Sequence, residues 1–338
     1  MSKYLSLKEI EDTAKINGQL LTAIAKKTYE KISIDVDIMQ LAIDTEEMIK
    51  KCGKHVASPM SIEVNNIVNN FAPMLPYKLT KDDIVSFALT LANDKSGVGI
   101  VKCAYSNSLS GLHDDIIEGI NEACLAGIRV SGPDARFLDI SKEIHDTLQS
   151  LGIATLTNIC GHSLQNAKRV IPCVKYPSSN ILNNYECIDA KMKVGETFSI
   201  EVFGTDAADD QEATIGYPTM YFVNRVESKR PPRLPSLRTL YQLISKKYQS
   251  NIFSLRDLQA TLDNSYQGSN IRKYFFNKDN TMRQKYFDTQ FRRLIKETYI
   301  NSLYGAKLQQ NQLTGNMNVV AHIGHSILIT DKGCTILC

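Results

Sequence analysis

Two β-rich segments that lie between two pairs of helical patterns constrain the fold of this chain more than any other feature. Residues 84–91 and 98–105 are apolar, and the turn-forming run Asn93-Asp94-Lys95-Ser96-Gly97 separates them. This pattern predicts a β-hairpin. Apolar residues at helical spacing precede the hairpin at 5–32 and 35–52 and follow it at 114–130 and 140–151.

Further strand patterns follow the second helical pair. They occur at 157–160, 197–203 and 220–224, and a last strand is expected at 319–330. Because antiparallel strands mixed with paired helices form two packed layers, the order predicts an α+β fold. Asp35 is expected to be the N-cap of the second helix and Gly53 its C-terminal cap.

The length of 338 residues allows one large domain or two smaller ones. No run reaches the roughly 20 apolar residues of a membrane helix, and the N-terminus lacks the apolar core of a secretory signal. The eight cysteines are scattered without a CxxC pair, which indicates free thiols in a reducing compartment. We therefore expect the protein to be located in the cytoplasm and also in the nucleus and nucleolus.

Charge is strongly segregated along the chain. Residues 225–300 hold 16 Lys and Arg against 6 Asp and Glu, whereas the remainder holds 23 against 30. The same interval contains 11 of the 26 Phe and Tyr residues. Basic side chains interleaved with aromatic ones suit phosphate neutralisation and base stacking, so the interval predicts an RNA partner. The RNA-binding candidates are Lys229, Arg230, Arg233, Arg238, Lys246, Lys247, Arg272, Lys273, Arg292 and Arg293.

A second interpretation of the same interval is a helical subdomain whose aromatic residues face its own small core. Leu240, Leu243, Ile244 and Tyr248 do lie at helical spacing. The proline-rich run at 231–235 would be a stiff connector at the start of this subdomain. The aromatic residues alone do not decide between the two interpretations, whereas the segregated charge favours an anionic partner.

Five segments between residues 35 and 330 stand out in this order: 58–66 with its paired asparagines, Gly161-His162-Ser163, the glutamate strand 195–204, Arg233-Leu234-Pro235 and the final strand 321–329. Taken together, they resemble the corresponding segments of type 2 methionine aminopeptidases. The resemblance implies a pita-bread fold at 35–224 and 301–338, preceded by an N-terminal helix at 1–34 and interrupted by a basic helical insert at 225–300.

The resemblance also identifies the place of a two-metal centre. Enzymes of this family hold two divalent metals with two aspartates, one histidine and two glutamates, and the metals activate a bridging water. In this sequence the five positions are occupied by Ala88, Lys102, His162, Glu201 and Gly324, and the position of a substrate-facing histidine by Asn70. Three of five ligands are absent, and an ammonium at Lys102 repels metal ions. We therefore expect no catalytic residues, no metal and no cofactor, and a chain that is not an enzyme.

The two remaining ligand positions, His162 and Glu201, allow two interpretations. They could be polar core groups with local hydrogen-bond partners, as buried polar atoms usually are. Alternatively, the Lys102 ammonium lies where a metal would lie and forms a salt bridge with Glu201.

The resemblance extends to non-catalytic relatives, the proliferation-associated, ErbB-receptor-binding proteins. These bind ribosomes near the exit tunnel of the large subunit, and a related group exports precursors of that subunit. The expected function is therefore binding of the large ribosomal subunit and its RNA, with nascent chains or proteins as further partners and no membrane. A residual type 2 methionine aminopeptidase with a degenerate metal site is the alternative, and a pocket that holds peptide N-termini without cutting them is a third hypothesis.

Overall fold

The computed structural model describes residues 7–224, 230–265, 270–308 and 318–338. The chain divides into two compact units. Unit 1 consists of Met1–Tyr217 and Gly305–Cys338, and unit 2 is Pro218–Tyr304. The basic interval 225–300 therefore lies within unit 2, and the N-terminal helix belongs to unit 1.

Groups of helices and groups of strands follow one another along the chain, as expected for an α+β protein. In chain order they are α1 (Leu7–Tyr29), α2 (Ile38–Lys51), β1 (His55–Val64), β2 (Ile67–Val68), β3 (Ile84–Ala92), β4 (Val101–Ser108), α3 (Asp114–Arg129), α4 (Phe137–Ser150), β5 (Cys160–Ser163), β6 (Val170–Pro172), α5 (Ser179–Asn184), β7 (Thr197–Thr205), β8 (Thr214–Asn224), α6 (Pro235–Tyr248), β9 (Ile252–Ser254), α7 (Leu255–Ser265), α8 (Asn270–Phe275), α9 (Gln284–Lys296), β10 (Ile300–Lys307), β11 (Val320–Thr330) and β12 (Gly333–Ile336). No helix in this described part of the chain is long and apolar enough to cross a membrane.

Unit 1 is built on a sheet with the strand order β1-β3-β4-β11-β7-β5-β6, in which β12 also pairs with β11. The predicted hairpin is confirmed, since β3 and β4 are antiparallel neighbours. Their pairing runs from Ile84 opposite Ser108 to Leu91 opposite Val101. The late strand β11 pairs with β4 on one side and with β7 on the other. The order therefore brings residues from distant parts of the sequence together at the middle of the sheet.

The helices of unit 1 cover this sheet with two apolar cores. One core contains buried residues of α3, α4, β7 and β11, including Ile120, Phe137 and Val202. The other contains buried residues of α1, α2 and the strands β1, β3 and β4, including Leu21 and Phe87. Strands β3 and β7 are buried along their whole length, as is usual for strands that are covered on both faces.

Two local predictions for unit 1 are wrong in position. Asp37, rather than Asp35, caps the second helix, because its extended backbone lets Oδ1 accept the Met39 N–H at 2.8 Å. Asp35 has a left-handed φ of 67° instead. The strand predicted at 157–160 begins only at Cys160, because Thr157 donates its N–H to the Gln211 carbonyl outside the sheet.

Unit 2 has its own aromatic core among its helices. Phe253, Phe275 and Phe287 are at most 2% exposed and pack with Leu240 and Leu262. Strands β8 and β9 pair in an antiparallel manner beside this core. The interpretation in which the aromatic residues face a small core of their own is therefore confirmed, and base stacking by these buried rings is excluded because their faces contact protein.

The close contact between β5 and β7 predicts the effect of a small substitution. A Cβ added at Gly161 would lie 2.5 Å from the Ser199 carbonyl oxygen, a backbone atom that cannot rotate away. Gly161→Ala is expected to lower the free energy of urea unfolding by about 2 kcal/mol through overpacking. Gly53→Ala is the control, because no atom lies within 4 Å of a Cβ added there. Only the left-handed φ of 71° opposes the side chain, and this strain costs about 1 kcal/mol. Equal stability of Gly161→Ala and the unmodified protein would contradict this packing.

Candidate functional site

A row of small residues crosses the sheet of unit 1 and ends at Glu201. Ala88 pairs in register with Ala104, Ala104 with Gly324, and Gly324 with Glu201. A Cβ at Gly324 would lie 3.0 Å from the Glu201 Cγ, so the glycine leaves room for that side chain. The predicted position Gly324 therefore lies beside Glu201, whereas Ala88 lies three strands away from it, and neither residue supplies a functional group.

Lys102 and Glu201 form a buried salt bridge at this place. The Lys102 Nζ lies 2.8 Å from both carboxylate oxygens of Glu201, and the two side chains are 12% and 1% exposed. The predicted pairing of Lys102 with Glu201 is confirmed. Ser326 of β11 fixes the Lys102 backbone, because its hydroxyl accepts the Lys102 N–H at 2.7 Å and donates to the Lys102 carbonyl at 2.6 Å. The two contacts between the Lys102 ammonium and Glu201 are charge-assisted, and such contacts are the strong hydrogen bonds of proteins.

His322 is a member of the site that the sequence analysis missed. Its Nε2 lies 3.1 Å from a Glu201 oxygen and its Nδ1 lies 3.3 Å from a Glu63 oxygen. All three side chains are at most 2% exposed, and the imidazole stacks on Phe203 with 4.1 Å between ring centroids. Because both ring nitrogens face carboxylates, the imidazolium, which donates from both nitrogens, fits this environment. His322 lies two residues before Gly324 on the same strand, and this spacing was the available signal.

The electrostatics of the site agree with its geometry. Burial by itself would lower the pKa of His322, but hydrogen bonds to Glu201 and Glu63 outweigh it and raise that pKa. Burial by itself would raise the pKa of Glu201, but the Lys102 ammonium and His322 outweigh it and hold that pKa well below its usual range. Two buried carboxylates thus face two cations of the protein, so the charges balance.

His162 lies at the more exposed edge of the site. Its Nε2 is 3.5 Å from a Glu201 oxygen, and its side chain is 32% exposed. Burial and the nearby Lys102 ammonium lower the pKa of His162, which favours the neutral ring. The Nδ1 of His162 lies 3.0 Å from the Ser163 carbonyl, an acceptor to which this nitrogen can donate.

The network continues from Glu63 to the turn that contains Asn70. The Ser61 hydroxyl donates to Glu63 at 2.5 Å and accepts the Phe71 N–H at 2.9 Å. Asn69 and Asn70 both have a left-handed φ of 57°, a conformation that asparagine adopts more easily than most residues. The predicted substrate-facing position, Asn70, is therefore next to a residue that is hydrogen-bonded into the network.

The residues at these positions do not fit the two-metal centre that the resemblance implies. Two divalent ions need several anionic oxygen ligands, whereas only His162 and Glu201 retain donor atoms at the five positions. The Lys102 ammonium contacts both Glu201 oxygens. Within the described ranges, no group of three or more His, Cys, Asp or Glu side chains is arranged to hold a metal ion. No chemical step through a metal follows from this arrangement.

The ten RNA-binding candidates separate into two classes, and Lys229 lies outside the described residues. Four of them bond within unit 2: Arg238 to the Pro232 and Arg233 carbonyls, Lys247 to Asp257, Arg272 to Asn280 and Arg293 to Glu297. The other five have exposed side chains and no carboxylate partner in the described part of the chain. They are Arg230, Arg233, Lys246, Lys273 and Arg292.

The sequence is similar to a known protein family and to individual members of it. The profile of metallopeptidase family M24 matches residues 8–226. A methionine aminopeptidase of Methanocaldococcus jannaschii is 26% identical over 245 residues, which cover 71% of this chain and 79% of that relative. Methionine aminopeptidase 2-2 of Emericella nidulans is 23% identical over 295 residues, and the match spans only 60% of that longer protein.

Solved structures confirm the predicted α+β, pita-bread fold. A thermophilic Arx1 is similar with a TM-score of 0.72 at 11% identity, and the match covers 98% of this chain and 91% of that one. A methionine aminopeptidase from Thermotoga maritima is similar with a TM-score of 0.59 at 15% identity, covering 100% and 99%. At such low identities the likeness shows the fold alone.

One prediction from the sequence is wrong in view of these relatives. The chain was expected not to be an enzyme, whereas the relatives that it matches are named methionine aminopeptidases, which are enzymes. Three of the five family ligands are absent from their positions. Their absence does not by itself decide whether the chain is an enzyme.

The buried salt bridge predicts a large effect of removing one partner. Lys102→Met would leave the Glu201 carboxylate buried with one cation fewer, which is expected to lower the free energy of unfolding by about 3–5 kcal/mol. Urea denaturation followed by circular dichroism measures this loss. The double variant Lys102→Met/Glu201→Gln removes both charges and is expected to recover much of the stability. A Lys102→Met variant as stable as the unmodified protein would contradict the proposed charge balance.

The same position predicts a change in metal binding. Lys102→Asp replaces the ammonium with a carboxylate beside His162 and Glu201, which would give three donor side chains in one place. After dialysis against cobalt or manganese, we expect about one ion per chain in Lys102→Asp and far less in the unmodified protein, as measured by elemental analysis. Lys102→Met is the control, since it removes the charge without adding a ligand. One metal ion per chain in the unmodified protein would contradict the prediction, because it would show that the Lys102 ammonium does not prevent metal binding.

Proposed function

The chain belongs to metallopeptidase family M24, and we propose that it binds ribosomal RNA of the large ribosomal subunit through the exposed basic side chains of unit 2. The partner comes from the resemblance to ribosome-binding relatives of methionine aminopeptidases. Docking near the exit tunnel and escort of subunit precursors are the two forms that this resemblance implies. The proposal includes a location in the cytoplasm, nucleus or nucleolus, where such partners occur.

The observation that carries this proposal is the set of five exposed cations in unit 2. Arg230, Arg233, Lys246, Lys273 and Arg292 have no carboxylate partner within the described ranges. They belong to an interval with 16 basic and 6 acidic residues in a chain whose remainder is acidic. A folded unit that keeps unpaired cations at its surface attracts polyanions, because each phosphate it neutralises releases bound counterions.

The burial of the aromatic residues narrows the kind of recognition. Phe275 and Phe287 are fully buried and Phe253 nearly so, so most rings of the interval are not available to stack on bases. Arginine and lysine contacts to the phosphate backbone would then supply most of the affinity. Contacts of this kind depend on the shape and charge of the RNA more than on its sequence.

Methionine aminopeptidase activity is a second candidate, and the names of the matched relatives favour it. The site retains His162 and Glu201 from the family positions. A Met-Ala-Ser peptide incubated with the protein and either cobalt or manganese tests this candidate. Release of methionine that Glu201→Gln abolishes would support it, and absence of turnover with both metals would count against it.

The RNA-binding proposal predicts a steep dependence on salt. Between 50 and 200 mM salt we expect the affinity for large-subunit RNA to fall by about 10²-fold or more, given ~4–5 phosphate contacts. Filter binding and co-sedimentation with purified large subunits measure this fall. A variant with the five exposed cations changed to Gln is expected to lose at least about tenfold in affinity at fixed salt.

The control for this prediction removes the same charge from unit 1. Lys26, Lys27, Lys31, Lys51 and Lys81 are also exposed, and their change to Gln should weaken binding much less than the change in unit 2. Equal losses in the two variants would show a response to net charge alone. Binding that is absent at low salt, or that does not depend on salt, would contradict the proposal.

A further inference from the structure

Unit 2 contains an open apolar cleft of about 330 Å³ between α9 and strands β8 and β10. We propose that this cleft binds one nucleotide of single-stranded RNA, with the base inside and the phosphate at Arg292. This inference rests on the proposed RNA-binding function and adds a specific site to it. Its volume lies at the lower end of the roughly 300–1,000 Å³ that ligand pockets occupy.

The walls of the cleft suit a flat apolar group. Phe222 comes from β8, Phe291 and Ile295 from α9, and Leu303 from β10. Phe222 and Phe291 are 6% and 4% exposed, and their rings meet edge to face with 4.8 Å between centroids. The faces of these two rings pack on Phe253 and Phe287, so the rings form the floor of the cleft, and a base in the cleft would contact them mainly through their edges.

The rim of the cleft carries three polar side chains. Asp288 and Arg292 lie one helical turn apart on α9, and Ser302 lies on β10. Arg292 is exposed and has no carboxylate partner in the described part of unit 2, so its guanidinium is available for a phosphate. Asp288 accepts a hydrogen bond from Gln284 at 2.9 Å and retains acceptor capacity for the N–H group of a base.

The backbone of β8 changes direction at the mouth of the cleft. Met220 has a left-handed φ of 58° within this strand and is 36% exposed. A non-glycine residue in this conformation interrupts the regular strand, as β-bulges do, and such interruptions often re-aim side chains next to functional sites. The interruption places Met220 at the opening, where its flexible side chain can adapt to a ligand.

A nucleotide matches this arrangement better than the alternatives. Its base offers an apolar face and N–H donors on one edge, and its phosphate matches the cation at the rim. A base inside a duplex is stacked and paired, so the cleft would distinguish single-stranded from double-stranded RNA. An acidic, apolar peptide segment has partly similar chemistry, and the experiment below separates it from RNA.

The test uses the full-length protein and a 12-nucleotide RNA with 2-aminopurine at a central position. At moderate salt we expect tighter binding to the single strand than to the matching duplex by about tenfold, the gain from burying one unpaired base in the cleft. Binding of the single strand should change the 2-aminopurine fluorescence. Arg292→Gln should lower single-strand affinity by about tenfold and duplex affinity by about twofold.

The matched control is Lys246→Gln, which removes an exposed cation of unit 2 that does not line the cleft. It is expected to weaken the binding of both RNAs by the same factor of about two. Ser302→Trp, checked for folding by circular dichroism, should block the cleft and lower single-strand affinity while leaving duplex affinity unchanged.

Two outcomes would contradict the proposed nucleotide site in the cleft while leaving the proposed RNA-binding function intact. One is equal affinity for the single strand and the duplex, with Arg292→Gln behaving like Lys246→Gln. The other is binding of an acidic, apolar peptide that Ser302→Trp abolishes, while the single-strand RNA affinity is unchanged by Ser302→Trp. Absence of RNA binding at low salt would instead contradict the proposed function itself.

Discussion

The interaction on which the central site depends is the neutralisation of two buried carboxylates by cations of the protein itself. Glu63 and Glu201 are each 2% exposed, and a carboxylate in such a place is costly unless it is paired. Lys102 contacts both oxygens of Glu201, and His322 lies between the two glutamates. Four charged side chains from four strands are thereby held in one arrangement.

The sheet order makes this arrangement possible, because β11 lies between β4 and β7. The strand brings His322 between the two carboxylates and Ser326 onto the Lys102 backbone, while Gly324 leaves space for the Glu201 side chain. Unit 2 contributes a different property. Its aromatic residues form a core, and its basic residues remain at the surface, so the proposed RNA contacts do not involve the buried site of unit 1.

The sequence predicted local features better than long-range pairings. The β3–β4 hairpin and both helical pairs follow from periodicity, and the Lys102–Glu201 pair followed from aligning family positions. His322 was not predicted as a site residue, because a lone histidine in an apolar strand carries no local signal. Its partner Glu63 lies 259 positions earlier in the sequence. The aromatic residues of unit 2 were ambiguous for a similar reason, since helical spacing shows that rings share a face but not whether that face meets protein or RNA.

The most direct test of this account is a crystal structure of the protein grown at neutral pH with millimolar cobalt, with diffraction data collected at the cobalt absorption edge. We predict no anomalous peak between His162 and Glu201, a Lys102 Nζ that contacts both Glu201 oxygens, and His322 within hydrogen-bond distance of Glu63 and Glu201. A cobalt peak bound to Glu201, with the Lys102 side chain displaced from the carboxylate, would contradict the claim that the protein's own cations balance this site.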